Sequence, residues 1–182
     1  YPKTEEHHNF GTIQCKFQAK YTSESPSGHD ATLFDVSDGQ QRLITTLLFL
    51  RALGEAMDEM GEPEHLKGLV SNFKSQYKEQ FPNGKHGPPE KIQRLTIPKH
   101  APFNECLSDL MLKGKHRRDE TTPVRRMKNA LEWFIDALKN KSLPQCRELK
   151  KTILERAEVV LLSNLNSNPH MVFEARNNRG RP

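Results

Sequence analysis

Phe34-Asp35-Val36-Ser37-Asp38-Gly39-Gln40-Gln41-Arg42-Leu43-Ile44-Thr45-Thr46-Leu47-Leu48 is the stretch on which the fold turns. Before it, Leu33, Phe34 and Val36 make a short apolar run of strand character. At Ser37-Asp38-Gly39 the pattern becomes helical, with Leu43, Ile44, Leu47, Leu48, Leu50 and Leu53 apolar nearly all round. A helix this uniformly apolar is buried on most sides. The junction has a chemistry of its own. Gly39 permits close backbone approach, the unpaired amides of the first helical turn point at an anion, and Arg42 can add a bidentate fork. Gln40 and Gln41 add neutral donors and acceptors for a base, sugar or water. The same residues also make an ordinary helix start, with Asp38 as N-cap and Arg42 as a surface charge. Both readings stand at this point.

Working outward, Phe10 to Lys20 alternates enough to predict a strand, and the Ser/Pro/Gly-rich Thr22 to Asp30 connects it to the run at Ala31 to Ser37. Downstream the chain reads as mostly helical. Leu66, Leu69, Val70, Phe73 and Tyr77 predict a helix over Glu64 to Gln80, followed by a Gly/Pro linker running to Pro89. Ile92, Leu95 and Ile97 predict a short extended piece, and a helix follows near Pro102 to Leu112. Thr122-Pro123 opens the clearest helix, with Val124, Met127, Leu131, Phe134, Ile135 and Leu138 on one face. A short helix over Gln145 to Leu154, a buried strand at Val159 to Leu165 and a last helix from Asn168-Pro169 to about Asn177 complete the pattern. The expected class is α+β: a small sheet with a helical majority.

Composition sets the bounds. Leu, Ile, Val and Phe make up a little over a fifth of the 182 residues, which predicts a folded but polar domain. A net charge of +5 favours an anionic partner without naming it. Cys15, Cys106 and Cys146 form no pair at metal-ligand spacing and are odd in number, so a disulfide scaffold is excluded and a reducing cytoplasm is the expected home. No grouping of side chains predicts a protein-held metal. The strongest apolar run, Leu43 to Leu50, lies between Arg42 and Arg51 and falls far short of the ~20 residues a membrane span needs. The chain begins at Tyr1 and stops at Pro182 without a recognisable tail, so it is expected to be an excerpt of a longer protein.

A second segment carries information: Phe173-Glu174-Ala175-Arg176-Asn177-Asn178-Arg179-Gly180. Phe173 would anchor a helix in the core while Glu174 and Asn177, and with them Arg176, project at i, i+3 spacing, and Asn178-Arg179-Gly180 would form the exit turn. Alone, this is a helix C-terminus. Together the two segments resemble the D-G-Q-Q-R family, typified by the N-terminal domain of GmrSD-type and SspE-like modification-dependent (type IV) restriction endonucleases. Asp38 to Arg42 matches the first signature in full, and Leu43-Ile44-Thr45-Thr46 is similar to its usual continuation. Phe173, Glu174, Asn177, Arg179 and Gly180 match the second, F-E-x-x-N-x-R-G, while Arg176 stands where the family often has an apolar residue. Asn9-Phe10-Gly11-Thr12-Ile13 looks like the family's strand before the loop.

The resemblance implies a ParB/sulfiredoxin-like domain: residues 1–60 as the strand, loop and helix portion, 61–155 as a helical extension, and 156–182 returning to the same site. It implies binding and hydrolysis of a nucleoside triphosphate, coupled to the sensing of modified DNA, with a downstream HNH-type nuclease domain or subunit making the cut. Gly39, Gln40, Gln41, Arg42, Asn177, Arg179 and Gly180 would hold the nucleotide. Asp38, Gln40, Gln41, Arg42 and Glu174 would serve its hydrolysis, with Mg²⁺ held mostly by phosphate and water oxygens. Two other readings are carried alongside: a DNA-binding ParB-like module without turnover, and a domain that cuts DNA directly. The oligomeric state is left open.

One further region is positively charged. Lys113, Lys115, Arg117 and Arg118, followed by Arg125 and Arg126, read either as a solvated loop and helix face or as a contact to the DNA backbone. The basic stretch holds no aromatic residue to stack on bases, and Trp133, in the helix behind it, is expected to pack in the core or at its rim.

Overall fold

In a computed structural model, the described residues are 8–23, 30–81, 84–93, 95–96, 101–116 and 121–163. Strand β1, His8–Ser23, is long enough to take three neighbours. Its residues 14–21 pair antiparallel with β2 (Ala31–Asp38), residues 20–23 pair antiparallel with β3 (Lys74–Gln80), and residues 8–15 pair parallel with β5 (Ala157–Ser163). Gln14 and Cys15 pair with both β2 and β5, and Lys20 and Tyr21 with both β2 and β3. A strand has two edges, so β2 holds one edge of β1 while β3 and β5 share the other. β4 (His86–Gln93) pairs beyond β3.

Two of these strands differ from the sequence expectation. The predicted helix over Glu64 to Gln80 stops at Phe73, and Lys74 turns extended at φ −137°. Phe73, the last residue of α2, buries its side chain in the helical core. The polar run after it has no apolar face to bury as a helix, and it pairs with β1 instead. The linker expected to run to Pro89 contains the start of β4, so Pro88 and Pro89 lie in a strand. β4 ends the strand order among the described residues, and an edge strand tolerates missing ladder donors.

The described residues also form five helices: α1 (Gln40–Glu59), α2 (Glu64–Phe73), α3 (Ala101–Lys113), α4 (Thr122–Leu138) and α5 (Leu143–Lys151). A π-helical turn, Thr152–Arg156, leads from α5 into β5. Among the described residues no helix is long and apolar enough to cross a membrane. The class is therefore α+β, a small sheet with a helical majority. The described residues divide into two compact units, the sheet with the first three residues of α1, and the helices over 43–75 and 92–156. The helical unit has its own core, in which Leu48, Leu53 and Met57 of α1 meet Leu107 and Leu110 of α3 and Leu131 of α4. Residues 50–54 of α1 are buried without a break, as expected for a helix apolar nearly all round.

Candidate functional site

The turn between β2 and α1 is shaped by two departures from regular pairing. Gln14 pairs with Asp38 but Cys15 pairs with Val36, so Ser37 is an extra residue on β2. Its hydroxyl donates to the Gln14 carbonyl at 3.4 Å. Such a bulge bends the strand end and re-aims the turn beyond it. Gly39 then adopts φ +95° against β1, where an added Cβ would lie 2.9 Å from Ile13 Cγ1. Only glycine meets both demands, the left-handed backbone and the close approach.

Three polar contacts close the turn. The Gly39 N–H donates to Asp38 Oδ1 at 2.7 Å, which places the carboxylate at the positive end of α1. Gln40 Nε2 donates to the Val36 carbonyl at 2.6 Å, and the Arg42 guanidinium donates through Nη1 to the Thr12 carbonyl. Thr12 lies just past a second irregularity, since β1 carries one extra residue against β5 between Asn9 and Thr12. Gly11, at φ +89° there, lies beneath the guanidinium, and a Cβ on it would stand 3.5 Å from Arg42 Cζ. Sequence reasoning misses the contribution of Gly11 and Thr12, although a glycine inside a strand pattern is the usual sign of a bulge. Gln40, Gln41 and Arg42 are exposed, Asp38 is half-buried, and Asp38 does not pair with Arg42. Cys15, one residue beyond the turn's partner on β1, is buried, and burial pushes its thiol up.

β5 brings a second chain segment to this place. β2 runs against β1 and ends with Asp38 opposite Gln14, while β5 runs with β1 and is described as far as Ser163, opposite Cys15. The two strands run in opposite directions on either side of β1, and Asp38 and Ser163 stand opposite neighbouring residues of it. At the usual strand spacing Asp38 and Ser163 are about 10 Å apart. The segment bearing Glu174, Asn177, Arg179 and Gly180 comes after β5 in the chain and lies outside the described residues.

The basic candidates belong to the helical unit. Lys113 Nζ is bound to Asp109 Oδ1 at 2.7 Å, Lys115 is exposed, and Arg117 and Arg118 lie outside the described residues. Arg125 and Arg126 are exposed on α4 and form no ion pair among the described residues. Trp133 is not in the core but at its rim: it is 66% exposed and packs edge-on against Phe134, which packs against the core. Its place is open to helix arithmetic, because at 100° per residue it lies about 180° from Val124, a core residue. Among the described residues no three of His, Cys, Asp and Glu gather as metal ligands. Compared with known proteins, the chain matches no protein-family model and no curated protein.

Proposed function

We propose that the β2–α1 turn is a nucleoside-triphosphate site, and that the chain is the nucleotide-binding and hydrolysing, DNA-sensing part of a modification-dependent restriction or phage-defence endonuclease. The observation that carries the proposal is the joint placement of a helix start, an exposed guanidinium and a carboxylate on a glycine turn that cannot accept a side chain. The donor set fits a phosphate chain that brings a divalent ion. Arg42 has five N–H donors and gives one to Thr12, so the fork can serve a phosphate while the Thr12 contact holds it in place. Asp38 at the helix start would repel a bare phosphate, and Mg²⁺ between carboxylate and phosphate removes that conflict. Bound there, Mg²⁺ would neutralise charge on the phosphates. Gln40 closes the turn through Val36, which leaves Gln41 as the amide to orient a base, sugar or water. The placement of β5 beside β1, with Ser163 opposite Cys15 and Asp38 opposite Gln14, supports including the later Glu174, Asn177, Arg179 and Gly180 in the same site.

One contact favours a second reading. Arg42 already clasps β1 through Thr12, as it would in a DNA-binding module that keeps the fold without turnover. Calorimetric titration of the chain with each nucleoside triphosphate and Mg²⁺ separates the two. In the nucleotide reading the chain binds, and Arg42→Ala weakens binding by roughly 1.5–3 kcal/mol, the range for a charge-assisted contact. Absence of binding by the unaltered chain, or equal affinity in Arg42→Ala, leaves the clasp as the only role of this residue.

A further inference from the structure

The outer face of α4 carries a combination that the β2–α1 turn does not use. Its inner face is fixed by Val124, Met127, Leu131 and Leu138, each no more than 5% exposed. At 100° per residue the opposite direction is occupied by Asn129 and Trp133, with Arg125 and Arg126 straddling it two turns nearer the N-terminus. Trp133 is not loosely attached. It packs edge-on against Phe134 at 5.3 Å between ring centroids, and Phe134 in turn packs edge-on against Phe49 of α1 at 5.3 Å. A large ring is thus braced at one side by the core and left mostly in water.

From this face the geometry points to a docking surface for single-stranded nucleic acid, with Trp133 stacking on an unpaired base and Arg125 and Arg126 holding adjacent phosphates. Charge decides the occupant. The two arginines form no ion pair among the described residues, and the first turn of α4 has no acidic residue. The acidic groups on this face are Glu132 and Asp136, and Asp136 is bound to Lys139 Nζ at 2.5 Å. One helical turn to either side of Trp133 stand Asn129, Ala130, Asp136 and Ala137, with Glu132 beside it, a mixed setting and not the broad apolar surround by which a protein partner would exclude water from the ring. Seven residues of helix separate Arg126 from Trp133, about 10 Å along the axis, so base and phosphate are met at separate points of one face. A duplex hides the faces of its bases, and a ring that stacks on them requires an unpaired strand.

Trp133 is the only tryptophan of the chain, so its fluorescence reports this face alone. The full chain, without nucleoside triphosphate, is titrated with an oligothymidylate at low salt, and binding is measured in parallel by anisotropy of a labelled strand. The expected result is saturable quenching, with Trp133→Ala binding roughly 5- to 150-fold more weakly and Trp133→Phe retaining most of the affinity. Removing both arginines should lower the slope of log K against log salt by about 1.4, at about 0.7 per single-strand phosphate contact. Circular dichroism melting checks that each variant folds, and the exposed position of Trp133 predicts an unchanged Tm. Several results would overturn the proposal: no quenching, equal affinity in Trp133→Ala, equal quenching by a duplex or by heparin, or self-association in sedimentation that Trp133→Ala abolishes. The last of these would make the face a protein interface.

Discussion

Gly39 concentrates the demands of the β2–α1 turn in one position. Its φ of +95° strains any other residue by about 1–3 kcal/mol, and an added Cβ meets Ile13 as well. Gly61, at φ +90°, has nothing within 4 Å of an added Cβ and provides the control. Gly39→Ala should therefore destabilise the chain more than Gly61→Ala in urea titrations, the excess measuring the contact with Ile13. Equal losses would mean that the turn does not pack against β1. Arg42 acts at the same scale, since its bond to the Thr12 carbonyl is what fixes the first turn of α1 on a bulge of β1.

Among the elements, α3 shows how a helix end is tied by charge. Asp109 accepts from Lys113 Nζ at 2.7 Å and meets His116 Nδ1 at 2.9 Å, so one carboxylate holds the last turn and the residues just after it. The hydrogen bond from Lys113 first, and then that from His116, lower the Asp109 pKa below the usual carboxylate value. A pKa lowered by folding adds stability above the unfolded value, near 3.9, and that stability is lost as the pH falls through the lower folded value. Urea midpoints measured from pH 6 down to pH 2 should fall more steeply for the unaltered chain than for Asp109→Asn. Parallel acid limbs would assign the acid sensitivity to other carboxylates. The same scale explains the misplaced end of α2. Apolar spacing marks Leu66, Leu69, Val70 and Phe73 correctly, but the path of residues 74–80 is decided by an edge of β1 that only the folded sheet offers.

For the whole molecule, the division into a sheet unit and a helical unit predicts which probes agree. Among the described residues the five helices, apart from the first three residues of α1, belong to the helical unit, and so does Trp133. Leu107, fully buried in that core, should cost about 2–5 kcal/mol on substitution by alanine. Helical circular dichroism and Trp133 fluorescence should shift together in that variant. A loss below about 1 kcal/mol, or a separation of the two transitions, would mean that Leu107 does not tie the helices into one core.

The amino-acid sequence by itself determined the class and most of the elements, because burial imposes a period. The change at Ser37-Asp38-Gly39 marks the start of α1, and the spacing of Val124, Met127, Leu131 and Leu138 marks the inner face of α4. It also singled out Asp38 to Arg42, since a carboxylate, a glycine, two amides and a guanidinium at a helix start are legible without coordinates. Tertiary structure alone decided what those residues meet. The clasp of Arg42 on Thr12 and the packing of Gly39 on Ile13 join positions about 30 residues apart in the chain, and the approach of Asp38 and Ser163 to neighbouring residues of β1 depends on β1 carrying a neighbour on each edge. No local period encodes such registers: they depend on which strand edges remain open once the sheet has formed, and that is a property of the assembled fold.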